Sequence, residues 1–132
     1  MSVKPLDPPV DLNGRWRVIH TVERSEVPRY VGLEIEFDVT ISEDGARIRG
    51  EGEKFVVGWE LVARAEASHL QLEGLRQDRR VQLSIIEISP VHPEEVIRGE
   101  IEWQVITADM LAGTFEVTAG NSGGQSKALR RD

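Results

Sequence analysis

The sequence has 132 residues and contains no cysteine. A disulfide framework and thiolate chemistry are therefore excluded, because both need a cysteine sulfur. Long apolar runs are missing too, and no segment approaches the roughly 20 residues that a membrane-spanning helix needs. The stretch from Met1 to Val10 lacks the apolar run of a secretory signal peptide. These absences predict a cytoplasmic protein with no membrane partner, although many periplasmic proteins also lack cysteine.

Basic residues are scarce relative to acidic ones. The chain has 16 Lys and Arg against 23 Asp and Glu, a formal net charge of -7. This balance argues against a nucleic-acid backbone or an anionic membrane surface as a partner. The three histidines, His20, His69 and His92, are not expected to cluster, so the sequence predicts no metal site. We expect no catalytic residue and no cofactor, and the sequence leaves enzymatic activity uncertain.

A repeated pairing of an aliphatic residue with glycine is the most informative feature present. It occurs five times with a spacing of two, at Leu12–Gly14, Ile48–Gly50, Leu72–Gly74, Ile97–Gly99 and Leu111–Gly113. Residues two apart in a strand share a face, and glycine inside a strand marks a bend or a close backbone approach. The repeat therefore predicts one antiparallel sheet that coils tightly on itself into a small barrel.

Apolar and polar residues alternate through most of the chain, as in a sheet that is wet on one face. The alternation predicts an all-β fold with eight strands, near residues 12–22, 31–41, 46–52, 70–74, 81–88, 97–105, 111–117 and 124–131. Ile85 and Ile86 interrupt the alternation, which predicts a β-bulge there. Prolines near the start suggest an extended arm over residues 1–10, followed by one barrel domain over residues 11–132.

The segment 53–68 is ambiguous, because it reads equally as another strand or as a longer loop carrying a short helix. Loop lengths favour the second interpretation. If 53–68 is a connection, long and short connections alternate along the chain, as an up-and-down barrel with tight turns at one end requires. We therefore predict a single eight-stranded antiparallel up-and-down barrel with a longer loop or short helix at 53–68.

The outer face is expected to pair its charges across strands, and the pairs depend on register. If Ile41 pairs with Ala46, Asp38 faces Arg49. If Val22 pairs with Val31, Asp38 also faces Arg15, and Glu36 faces Arg17. Each such exposed pair would contribute about 0.2–1 kcal/mol.

The segment Leu12-Asn-Gly14-Arg-Trp16 resembles the Gly-x-Trp motif of lipocalins and of the wider calycin superfamily, which includes fatty-acid-binding proteins and avidins. The later stretch from Leu111 to Gly124 is similar to small bacterial calycin-like domains of unassigned function. The resemblance implies a calycin-like barrel in which Trp16 closes the narrow end. It also implies that a basic residue of the last strand packs across this tryptophan, with Lys127, Arg130 and Arg131 as the candidates.

Alternation places His20 on the same inner face as Trp16. A histidine inside the barrel can hydrogen-bond a ligand or change charge near neutral pH. Alternatively, His20 is a core residue whose ring nitrogens hydrogen-bond to a backbone carbonyl or a water.

The long loops carry the other candidate ligand-binding residues. Arg29 and Tyr30 would orient an acidic ligand, and Trp59 would stack on it. Alternatively, Trp59 and its apolar neighbours form a plug that completes the core.

Two functions therefore remain open from the sequence. The first is a non-enzymatic barrel that binds a small apolar or acidic ligand at its long-loop end, through His20, Arg29, Tyr30 and Trp59. The second is a filled barrel that acts as an interaction or structural protein through its outer surface, with a homodimer left open. An empty lumenal cavity beside His20 favours the first function, and large side chains that meet across the axis favour the second.

Overall fold

A computed structural model of the protein describes residues 10–58, 60–61 and 67–131. In these residues the chain is almost entirely extended. The strands are β1 (Gly14–Arg24), β2 (Glu34–Asp44), β3 (Arg47–Val57), β4 (Glu60–Leu61), β5 (His69–Gln77), β6 (Arg80–Ile88), β7 (Val96–Thr107), β8 (Met110–Val117) and β9 (Ser122–Arg131). Within the described residues, a single turn of 3₁₀ helix lies at Pro28–Tyr30, and Ala119–Asn121 form a turn in which Gly120 has a φ of 60°. No helix among the described residues has the length and apolarity to cross a bilayer.

The sheet closes on itself. Its strand order is β2-β1-β9-β8-β7-β6-β5-β3, and β2 also pairs with β3, which completes the ring. Every pairing is antiparallel. The two-residue strand β4 pairs only with the end of β3. The fold is thus a closed eight-stranded up-and-down barrel, as predicted, and closure leaves no long unpaired edge.

The connections alternate in length around the barrel. Tight turns at residues 45–46, 78–79 and 108–109 lie at one end, and longer connections, among them 25–33 and 89–95, lie at the other. The predicted loop at 53–68 starts later than expected, because 53–57 continue β3, where Val56 and Val57 pair with Glu36 and Ile35. The long strand β2 supplies hydrogen-bond partners for this extension. Residues 59 and 62–66 lie outside the described part of the chain.

The predicted bulge at Ile85 and Ile86 is wrong. The registers of β6 with β5 and with β7 run without a shift through Ile88. Ile86 remains on the outer face, half-buried, which is common because folded surfaces always retain apolar residues. As a result Glu87, like Ile85, keeps its place on the inner face and is buried.

The predicted charge pairs on the outer face rest on a wrong register. Asp38 lies opposite Arg17 on β1 and opposite Glu53 on β3. For the pairing of β2 with β3, the cause is the connecting turn, which is only two residues long and therefore pairs Asp44 with Arg47. Arg17 and Glu36 still form an ion pair of 3.7 Å, but diagonally across the strands.

Glycines allow neighbouring strands to approach closely where the barrel wall bends. A Cβ atom built on Gly74 would lie 1.9 Å from the carbonyl oxygen of Gln82, and one on Gly113 would lie 1.8 Å from that of Glu102. Both positions therefore exclude a side chain. The close backbone approach predicted from the repeat is present at these two sites and at Gly99, whose Cβ would lie 2.2 Å from the carbonyl oxygen of Glu116, but not at Gly14 or Gly50.

We expect Gly113→Ala to destabilise the barrel by about 1–3 kcal/mol, the range for overpacking a core. The matched control is Gly50→Ala, whose new Cβ would meet only side chains, at 3.1 Å and beyond. Side chains can shift where a carbonyl group in a strand pairing cannot, so the control should lose less. Denaturant unfolding measures both, and equal losses would contradict the close-approach argument.

Candidate functional site: a cavity inside the barrel

The tight-turn end of the barrel is sealed. Trp16 is fully buried, and its indole Nε1 donates to the carbonyl oxygen of Leu12 at 2.9 Å. The guanidinium of Arg130 lies 4.3 Å from the centre of the indole ring. Arg130 also donates to the carbonyl oxygens of Asn13 and Asp11. This side chain thus joins the last strand to the segment that precedes β1 and covers the tryptophan.

The barrel is filled by large apolar side chains from its tight turns to about half its height. Its fully buried members include Val18, Ile41, Ile48, Leu70, Val81, Ile101, Trp103 and Leu111. Trp103 donates through Nε1 to the hydroxyl of Ser126 at 2.8 Å, so its polar atom is satisfied inside the core. The side chains of these residues are thus buried inside the barrel at this level.

A cavity of about 220 Å³ lies above this packed layer, toward the long-loop end. Its wall is mostly apolar, with Val22, Ile35, Phe37, Ile85, Phe115 and Val117 among the lining residues. The volume corresponds to about seven water molecules at liquid density, and an apolar cavity of about 150 Å³ already holds benzene. The space therefore suits one aromatic ring with a small substituent.

His20 lines this cavity and is 2% exposed. Its imidazole stacks on the ring of Phe115, with centroids 4.0 Å apart, and meets the ring of Phe37 edge-on at 5.4 Å. Burial, and secondarily the nearby Lys54 ammonium, lowers the pKa of His20 from 6.5 to about 3. His20 is therefore neutral at physiological pH. Its Nε2 atom has no hydrogen-bond partner among the described residues.

Lys54 and Glu87 form an ion pair inside the same cavity. The Lys54 Nζ lies 2.5 Å from Glu87 Oε2, and the two side chains are only 17% and 10% exposed. The ammonium is also 5.7 Å from the centre of the Phe37 ring. A lysine and a glutamate are rarely buried to this extent unless they are paired.

Sequence reasoning missed both members of this pair, although the signal was present. Lys54 continues the inner positions Ile48, Gly50 and Gly52 of β3. Glu87 continues the inner positions of β6, but the supposed bulge at Ile85 moved it outside. Strict alternation through the ends of both strands would have placed the two charges in the lumen.

The other predicted site residues lie at different distances from the cavity. Tyr30 is half-buried and lines it, within the 3₁₀ turn after β1. Arg29 is exposed and does not line it, and its guanidinium lies 5.6 Å from the Tyr30 ring centre. Trp59 lies outside the described residues. Among the residues that are described, no group of three His, Asp or Glu side chains is placed to hold a metal ion.

The fold and this cavity define an eight-stranded antiparallel barrel that is packed at one end and hollow at the other. Solved structures of redesigned β-barrels are similar to it. One, mFAP1 bound to DFHBI, has a TM-score of 0.64 and 10% identity over 91% of this chain and 94% of that chain. EF1p2_mFAP2b, also bound to DFHBI, has a TM-score of 0.65 and 9% identity over 92% and 94%. The redesigned barrel b11L5F_LGL has a TM-score of 0.63 and 8% identity over 92% of each chain.

No family model and no curated protein sequence matches this chain. At such low identities the structural likeness establishes the barrel fold and assigns neither a family nor an activity.

Proposed function

We propose that this protein is a non-enzymatic binding barrel, which takes a small, partly apolar molecule into its lumen from the long-loop end. The observation that carries the proposal is the cavity of about 220 Å³ beside the buried apolar core of the barrel. Interiors normally leave few voids larger than one water molecule. A void of this size, lined by aromatic rings and by a few polar groups, has the composition of a ligand site.

Two further observations support a ligand at this place. The mouth is framed by Tyr30 and by Ala119 and Ser122, which belong to the longer connections or adjoin them. Barrels of similar architecture have been solved with the small molecule DFHBI bound. Arg29 has a peripheral role at most in this proposal, because it does not line the cavity.

The test is a set of NMR titrations with small aromatic compounds, with and without a side chain that fills the cavity. Val117→Phe places a ring in the lumen, where it occupies the space that a ligand ring would need. We therefore expect it to reduce the affinity for these compounds at least about tenfold. The matched control, Thr114→Phe, adds the same ring to the same strand on the exposed face and should leave affinity unchanged. Chemical-shift changes should map to residues that line the cavity.

The alternative, a filled barrel that acts through its outer surface, predicts the opposite outcome. In that case no compound shifts the lining resonances of the unmodified protein, and Val117→Phe raises stability by filling a void with no loss of any binding. That combination would refute the binding barrel.

A further inference from the structure

The charges that line the cavity cancel. Lys54 and Glu87 are its only charged lining residues in the described part of the chain, and they neutralise each other at 2.5 Å. His20 adds no charge, since burial keeps its imidazole neutral. A ligand that enters this cavity therefore meets a cation and an anion side by side and no surplus of either sign.

A charged ligand would be penalised in such a site. A carboxylate that approached Lys54 would compete with Glu87 and leave one of two anions without a partner in an apolar wall. A cation that approached Glu87 would do the same to Lys54. Breaking a buried ion pair is strongly destabilising, because it leaves an uncompensated charge away from water.

A neutral group that both donates and accepts avoids this penalty. Its donor can approach the Glu87 carboxylate and its acceptor the Lys54 ammonium, while the two charges stay together. Hydrogen bonds to charged partners are also stronger than those between neutral groups. The aromatic walls formed by Phe37, Phe115 and the His20 imidazole complement a flat ring beside that polar group.

We propose, on the basis of the binding function above, that the lumen selects neutral single-ring aromatic compounds with a donor–acceptor group, such as a primary amide, over the corresponding carboxylates and cations. This differs from the acidic ligand expected from Arg29 and Tyr30 in the sequence. Lys54 and Glu87 together are the specificity-determining residues.

The experiment uses four probes of nearly equal size: benzamide, benzoate, benzamidinium and toluene. Each is titrated at neutral pH into the full-length protein, and binding is followed by two-dimensional NMR. We expect benzamide to bind at least about tenfold more tightly than benzoate or benzamidinium, because either ion would compete within the buried pair of Lys54 and Glu87 and leave one charge without a partner. Toluene should bind more weakly than benzamide.

Two substitutions should each change which probe binds most tightly, one in favour of the anion and the other in favour of the cation. Glu87→Gln leaves Lys54 as a lone cation, so benzoate should become the preferred probe. Lys54→Met keeps an unbranched side chain of nearly the same length and leaves Glu87 as a lone anion, so benzamidinium should be preferred. The comparison between probes within the unmodified protein tests the proposal even if one of these variants does not fold.

The control pair is Arg80 and Glu102 on the outer face, 3.1 Å apart and 51% and 46% exposed. Glu102→Gln and Arg80→Met change the net charge of the protein by the same amounts, so they should leave the order of the probes unaltered. Tighter binding of benzoate than of benzamide to the unmodified protein would overturn the proposal. So would an order that stays the same in both lumenal variants.

The outcomes separate this inference from the binding function on which it rests. Toluene binding in the lumen without a preference for benzamide would overturn the inference and retain a binding barrel. If none of the four probes shifts the lining resonances of any folded variant, both the selectivity and the binding function fail.

Discussion

Replacing Trp16 with alanine should lower the free energy of unfolding by about 3–5 kcal/mol, the range for loss of a buried large aromatic side chain. The indole is fully buried at the sealed end of the barrel, and it touches elements far apart in the chain. Its Nε1 bonds to Leu12, and its ring lies under Arg130 of the last strand. The substitution would therefore remove both a core anchor and the platform for a cation–π contact. Denaturant unfolding followed by circular dichroism measures the loss.

Trp16→Phe is the matched control for this prediction. It keeps an aromatic ring under Arg130 but gives up the hydrogen bond to Leu12, so it should be clearly less destabilising than Trp16→Ala. A loss below about 1 kcal/mol for the alanine variant would place Trp16 outside the group of large buried anchors. It would also remove the main point of the comparison with calycins.

The stability of the barrel should fall by about 3 kcal/mol through His20 alone between about pH 6.5 and pH 4, since each pH unit in this range contributes about 1.4 kcal/mol. Burial lowers the pKa of His20 from 6.5 to about 3 in the folded protein. Below pH 6.5, His20 binds a proton in the unfolded chain but stays neutral in the folded protein. Acid therefore favours unfolding. The contribution is fully present above the unfolded pKa and is lost progressively down to about pH 3.

His20→Phe isolates this effect from the protonation of carboxylates in the same range. The variant cannot take up this proton. Its free energy of unfolding should therefore fall less on acidification than that of the unmodified protein, and the difference should be about 3 kcal/mol. His69→Gln, at an exposed histidine on β5, serves as the control for the loss of one imidazole. Parallel profiles for the unmodified protein and His20→Phe would contradict a buried, neutral imidazole.

The barrel architecture was largely predictable from local sequence. Alternation assigns a face to each residue, because side chains in a strand point to opposite sides in turn. The repeated glycines indicate a close approach of neighbouring strands, and at Gly74 and Gly113 the carbonyl group of the paired strand leaves no room for a Cβ atom. Turn lengths then indicate that successive strands run up and down. These properties depend on residues close together in the chain.

The candidate site was predicted only in part. His20 and Tyr30 were both expected near the long-loop end, and both line the cavity. The ion pair of Lys54 and Glu87 was missed, because Lys54 fell in the ambiguous segment 53–68 and the supposed bulge at Ile85 and Ile86 moved Glu87 to the outer face. Their partnership spans three strands, and no short-range pattern contains it.

The sequence by itself thus determined the fold class, the inner and outer faces of most strands, and the alternation of tight turns and long connections. The tertiary structure alone decided the strand register, the pairing of Lys54 with Glu87, and the division of the lumen into a packed part and a hollow part. The reason is physical. Periodicity is a local property of the backbone, but register, counter-charges and cavity volume depend on which distant side chains meet across a closed barrel and how completely they fill it.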